Sequence, residues 1–291
     1  MEKCVFKANV RLQNNALSSN MKLLIVVLGL ALAVTAEEPI FRDYHLEIGI
    51  PERARIDAAE AAADFDGSRI IGGQVSALGA VPHLAGLQIE LTTGQRSVCG
   101  SSLISNTRLV TAAHCWRTAS LTATTFTVIL GSVNYNSGGV RITTSNVVMH
   151  PSYNLFEPYN DVAVIRISHV NLNNNIQPIA LANGFDDYFG ATAIAAGFGR
   201  TEDFGPVSSV ARQVSLQVID NVECAWTFRE ARHASILCTS NSGGRSPCGG
   251  DSGGPLAVGN TLVSNCFSFF SRLLFCTSND IPFYFTEIRF Y

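Results

Sequence analysis

From Ile70 onward, apolar and polar positions alternate over short runs, the period of two that marks strands half-buried in a sheet. His83–Leu91, Thr125–Leu130, Asp161–Ile167 and Arg212–Ile219 are such runs, separated by Gly, Asn and Ser turn residues. In this region only Asn221–Phe228 has the makings of a helix, and a short one. Strand following strand without intervening helices predicts an all-β architecture of sandwiched or barrel-like sheets, not an α/β fold.

The pattern ahead of Ile70 is different. Residues 37–69 are acidic and Ala-rich, with a helix-favouring run from Glu52 to Phe65. They end in Asp66-Gly67-Ser68-Arg69, a polar, Gly-containing stretch that reads as an exposed target for proteolysis. Further upstream, Met21-Lys22 gives a positive start, Leu23–Val34 an apolar run, and Val34-Thr35-Ala36 small residues for cleavage. Residues 21–36 therefore read as a secretory signal peptide, too short to span a bilayer. Residues 1–20 read as leader from an upstream start codon, with Met21 the more natural initiator.

Composition adds three constraints. Apolar residues make up 47% of the 291 positions, enough for one large β domain or two smaller ones. The formal net charge is −3 with no basic run, which argues against a nucleic-acid partner, and no 18-residue apolar stretch predicts a membrane helix. Eight cysteines in a secreted chain predict disulfides; with Cys4 lost upstream, seven remain and one is left over. The part after Ile70 carries Arg but no Lys, and all three lysines, Lys3, Lys7 and Lys22, precede it. Arg keeps its charge where Lys would lose a proton, which suits an alkaline lumen; compositional drift would look the same.

Three short motifs carry chemistry. In Cys248-Gly249-Gly250-Asp251-Ser252-Gly253-Gly254-Pro255-Leu256, glycines let the chain turn sharply and leave the Ser252 hydroxyl open to substrate. The amides of Gly250 and Ser252 are placed to face a developing oxyanion. A serine needs a base, and His114, in Thr111-Ala112-Ala113-His114-Cys115, titrates in the useful range. Asp161 opens the apolar run Asn160–Ile165; a carboxylate there is costly to bury without a partner, and an imidazole N–H is such a partner. Each has a plainer reading alone: a Gly-rich hairpin, a structural histidine, a turn residue capping a strand.

Together the motifs and the order His, Asp, Ser resemble the chymotrypsin family of serine peptidases, most of all insect midgut chymotrypsins, to which SNTRLVTAAHCWR, AAGFGR and DFDGSR are similar. The resemblance implies two six-stranded antiparallel β-barrels, about 70–175 and 176–291, with the active site in the cleft between them. It implies an activation propeptide at 37–69, cut between Arg69 and Ile70 by a trypsin-like protease. The new Ile70 amine would pair with Asp251. It further implies the bridges Cys99–Cys115, Cys224–Cys238 and Cys248–Cys276, with Cys266 a free thiol, and no cofactor or metal. Protein substrates and protein protease inhibitors are the implied partners, with no nucleic acid or membrane, and the gut lumen is the implied location, for digestion. Ser246 falls at the base of the substrate pocket, where an acidic residue would select Arg or Lys, so apolar residues are expected before the cut bond. Ser268 matches the serine that supports the triad Asp.

The last thirty residues depart from the pattern. In Ser268-Phe269-Phe270 a phenyl ring stands where Gly is common, and Phe283 falls on the opposite pocket wall. Two rings there would narrow the pocket toward small residues, as in elastases, or lower activity. The family's C-terminal helix is expected to be missing after Tyr291. Two other classes stay in view: a non-catalytic homologue acting as a binding or regulatory protein, and a structural or cell-surface β protein.

Overall fold

A computed structural model describes residues 43–61, 73–156, 159–183, 186–200, 210–227, 233, 235–265 and 283–287, all within one unit spanning Phe41–Tyr291. Two antiparallel sheets carry the fold. The first runs in the order β6–β5–β2–β3–β4–β8–β7. Its strands are β2 (Leu84–Leu91), β3 (Arg96–Ser105), β4 (Arg108–Thr111), β5 (Ala123–Leu130), β6 (Val140–Thr144), β7 (Val147–Met149) and β8 (Ala163–Arg166). The second is built from β10 (Thr192–Gly197), β11 (Arg212–Ile219), β12 (Ile236–Thr239), β13 (Pro255–Val258), β14 (Thr261–Asn265) and β15 (Phe283–Glu287). It closes into a six-strand ring, because β12 pairs with both β15 and β11. The first sheet curls without closing among the described residues, a half-barrel beside a full one.

The alternation read from the sequence explains the faces. In β11, Arg212, Val214, Leu216 and Val218 are buried while Ser215 and Gln217 face out. Ala193, Ala195, Val214, Leu216, Leu256, Val263 and Phe285 fill the ring. Leu87, Ile89, Leu103, Leu109, Phe126, Leu130 and Ile165 fill the curl of the first sheet. Two short strands tie the pieces together. β9 (Ala180–Leu181) runs parallel to β14. β1 (Gln74–Val75) lies in the stretch assigned from the sequence to the first barrel, yet it pairs with Gln213 and Arg212 of β11 in the second sheet.

The helix expected over Glu52–Phe65 is present but starts earlier: α1 spans Ile50–Ala61, preceded by a wider π-type turn at His45–Gly49. Asp43 explains the early start. Its carboxylate accepts the Leu46 N–H at 3.3 Å and its carbonyl the Glu47 N–H at 3.0 Å, satisfying amides that a helix start leaves open. Inside α1, Arg53 pairs with Asp57 four residues on and Glu52 with Arg55 three on. The second helix, α2 (Asn221–Thr227), is capped by Asp220, whose carboxylate accepts the Val222 N–H at 2.7 Å.

Leu87 is fully buried at the heart of the first sheet, and Trp226 on α2 is 87% exposed. Leu87→Ala is expected to cost about 2–5 kcal/mol, and Trp226→Ala to change stability by no more than about 0.5 kcal/mol. Urea unfolding midpoints of the two variants check this contrast.

Candidate active site

β4 ends at Thr111 and leads into a single 3₁₀ turn, Ala113–Cys115, which presents His114. The turn is held from behind by the Cys99–Cys115 disulfide to β3. Asp161 enters from the start of β8, after Asn160 with its positive φ of 55°. The two side chains meet in the interior, with His114 2% exposed and Asp161 0%. One carboxylate oxygen accepts the His114 backbone N–H at 2.8 Å, and the other lies 2.5 Å from the ring Nδ1. An ionised Asp161 thereby keeps the proton on Nδ1 and leaves Nε2 as the basic nitrogen of the ring.

Ser252 arrives from the second sheet side, on the turn before β13, and is fully buried. Its carbonyl accepts the Gly100 N–H at 2.7 Å and lies 3.7 Å from Cys115 Sγ, so the serine's backbone is held against β3 and the disulfide that backs the His114 turn. The turn needs its glycines. Gly250 has φ +102° and Gly253 φ +80°, and a Cβ on Gly253 would stand 2.5 Å from the Gly100 carbonyl oxygen. The sulfurs of Cys99 and Cys115 are close to His114 but are spent on each other, so they offer no thiolate to a metal.

Asp251 points the other way. Its carboxylate accepts the backbone N–H groups of Gly199 at 2.7 Å and Cys248 at 2.9 Å, and no ion pair to it is found among the described residues. It opens on a small pocket also walled by Ala195, Gly197, Arg212, Val214 and Ser246. Part of its surface faces that pocket, yet protein surrounds the carboxylate. The loss of water pushes its pKa up to about 6, against the two amides that favour the anion.

The remaining expectations are met unevenly. Ser246 is buried. Cys224 and Cys238 are bonded to each other, and Cys248 is disulfide-bonded; its expected partner Cys276, and Cys266, expected to be a free thiol, lie outside the described residues. Arg69, Ile70, Ser268, Phe269 and Phe270 also lie outside them, and of Phe283 only the strand position is described. Sequence reasoning missed Asn265. From the end of β14 its amide donates to the Asp161 carbonyl at 3.1 Å, fixing the start of β8 from the second sheet. A buried Asn closing the apolar run Leu262–Val263 was the available signal, since Asn is unfavourable in strands. It also missed Tyr44, whose ring centroid is 4.5 Å from that of His114.

The trypsin family, described simply as Trypsin, matches residues 70–288. The chain belongs to this family of serine endopeptidases. Its similarity extends to serine protease 1 of Drosophila melanogaster, 34% identical over 209 residues, covering 67% of this chain and 73% of that protein. It is 35% identical to the collagenase of Hypoderma lineatum over 209 residues, covering 70% and 77% of the two chains. The solved structure of HL collagenase superposes with a TM-score of 0.68 at 34% identity, covering 75% of this chain and 93% of that one. As the three motifs imply, the chain is a hydrolase with the trypsin-like arrangement of two β units. No helix among the described residues is long and apolar enough to cross a membrane.

The raised pKa of Asp251 sets a pH dependence for this trypsin-family chain before any cut. Between about pH 4 and 6 the unfolded chain has released the Asp251 proton and the folded chain still holds it. The Asp251 contribution to stability therefore falls as pH rises through that window, by up to about 3 kcal/mol, and levels off above it. The buried His45 and the half-buried His83, whose pKa values are lowered, act in the opposite sense, so the comparison with a variant isolates Asp251. From pH 4 to pH 7 the urea midpoint of the Asp251→Asn variant should gain on that of the unsubstituted chain.

Proposed function

We propose that the chain is the precursor of a secreted endopeptidase that cuts peptide bonds after apolar residues, with Ser252 as nucleophile, His114 as base and Asp161 as the group that orients His114. The observation that carries this reading is the buried His114–Asp161 pair, bonded through both the backbone N–H and Nδ1, with the Ser252 carbonyl held at the Cys99–Cys115 disulfide behind the His114 turn. Nε2 takes the Ser252 proton as Oγ attacks the carbonyl carbon of the substrate. The amides of Gly250 and Ser252 receive the charge that develops on oxygen. His114 returns the proton to the leaving amine, and water then releases the acyl group by the same route. Asp161 stabilises the imidazolium in both halves, in a site where water does not screen the attraction.

Two further features support the precursor reading. The pocket on Asp251 offers a carboxylate whose donors are neutral amides, suited to receiving a cation. β1 is already moored to Arg212 and Gln213, so a chain end at Ile70 would stand only four residues from an anchor beside that pocket. Four extended residues reach about 14 Å. A cut after Arg69 would supply the amine. The preference for apolar side chains rests on Ser246, a buried neutral hydroxyl where an anion would be needed to repay the desolvation of Arg or Lys. On the same ground a trypsin-like protease, not the chain itself, makes the activating cut. Secretion rests on residues 21–36 together with the disulfides. A digestive role in a gut lumen follows only from the insect midgut resemblance.

Two measurements test the proposal. Cleaved at Arg69 and separated from the released N-terminal piece, the chain should react with one equivalent of a fluorophosphonate and turn over Phe or Leu peptides at least about tenfold faster than Arg peptides. Ser252→Ala should lower kcat/KM by about a thousandfold or more while leaving KM nearly unchanged. An Arg preference would remove Ser246 as the selecting residue, and undiminished turnover in the Ser252→Ala variant would remove the nucleophile.

A further inference from the structure

The segment Asp43–Ile56 lies across the reactive serine. Tyr44 is 1% exposed; its ring packs on His114, its phenol donates to the Val98 carbonyl at 2.8 Å, and the Ser252 side chain hydrogen-bonds the same phenol. His45 is fully buried, its Nδ1 2.8 Å from Ser97 Oγ. The Ile48 side chain sits beside Gly249, at the base of the turn that carries Ser252. Anything that brings a carbonyl carbon to Ser252 must first remove Tyr44.

The contacts beyond Tyr44 show a fitted surface. Ahead of it, the Asp43 carboxylate accepts the Thr118 hydroxyl at 2.6 Å and the Ser120 N–H at 3.0 Å. Behind it, Glu52 is fully buried and bonded to Arg200, the neighbour of the Gly199 whose N–H holds Asp251. Arg53 lies over the Tyr135 ring, and Asp57 pairs with Arg96 at 2.6 Å. Ile56 is packed with Leu84, Val98, Tyr135 and Phe198. Buried charges of this kind hold a register more than they add stability, since each needs its one partner. The register they hold is the one that puts Tyr44 on His114.

We infer that residues 43–61 are an inhibitor built into the chain, held in a peptide-binding surface that runs from Thr118 past Val98 to Arg200, and that they close the site independently of the pairing at Asp251. The inference rests on the peptidase reading above. Its consequence is that a cut after Arg69 is not enough for activity: the segment stays bound until it dissociates, and it acts in trans when supplied again.

The full chain, cut after Arg69 with both pieces kept in solution, is treated with a fluorophosphonate. Labelling of Ser252 is followed on serial dilution and on adding back a synthetic peptide of residues 43–61. Labelling should accelerate at least about tenfold on dilution, and the peptide should restore the slow rate. A peptide carrying Tyr44→Ala and Glu52→Gln should be weaker by about tenfold or more, the scale on which buried anchors act at interfaces. Labelling that is equally fast at every dilution and indifferent to the peptide overturns the inference. Fluorescence anisotropy of the dye-tagged peptide gives an answer that does not require Ser252 to react. Failure to bind overturns the built-in inhibitor, whereas binding to a chain that never labels upholds it and removes the peptidase reading instead.

Discussion

Everything at the centre of this molecule depends on one buried carboxylate. Asp161 has no water to solvate it, and a bare charge in such a place would take up a proton or unfold its surroundings. Its neighbours are arranged to prevent that. The His114 backbone and ring bind its two oxygens, and the Asn265 amide fixes its own backbone from the second sheet. To bring these groups together, β4, β8 and β14 must end within a few ångströms of one another. The half-barrel and the closed ring are the framework that makes their ends meet.

The same logic, with the sign reversed, governs Asp251. It sits one residue from Ser252, and the backbone turn that carries the serine places its carboxylate among neutral amides. One carboxylate is thus answered by an imidazole as well as an amide, and the other, in the loop that carries Ser252, by backbone amides.

How much of this was legible in the sequence follows from the range of each interaction. The strands could be read because alternation is local, and the limits of β11 agree with the expected Arg212–Ile219. His114, Asp161 and Ser252 could be read because each lies in a short motif whose residue types are dictated by chemistry. Asn265 could not, since its contact spans 104 positions in the sequence and its motif is a single residue. The early start of α1 depended on one capping carboxylate, Asp43, which also reaches Thr118, 75 residues away. Tyr44 is the extreme case: a lone aromatic in an acidic, Ala-rich stretch gives no sign that it will pack on a histidine 70 positions later.

The stretch between α1 and β1 is fastened at both ends, at Ala61 through the helix and at Gln74 through β11. Cut after Arg69, it becomes two tethers of unlike kind. The short one carries Ile70, and Gln74 keeps it near the Asp251 pocket, so the local concentration of the new amine is in the millimolar range or above however dilute the protein. The long one carries α1, which no cysteine between residues 5 and 98 binds to the body of the protein. Its occupancy then follows mass action. One hydrolysed bond would thus start two equilibria, one blind to enzyme concentration and one governed by it, and on the inference above a concentrated store of the cut chain would stay quiet until it is dispersed.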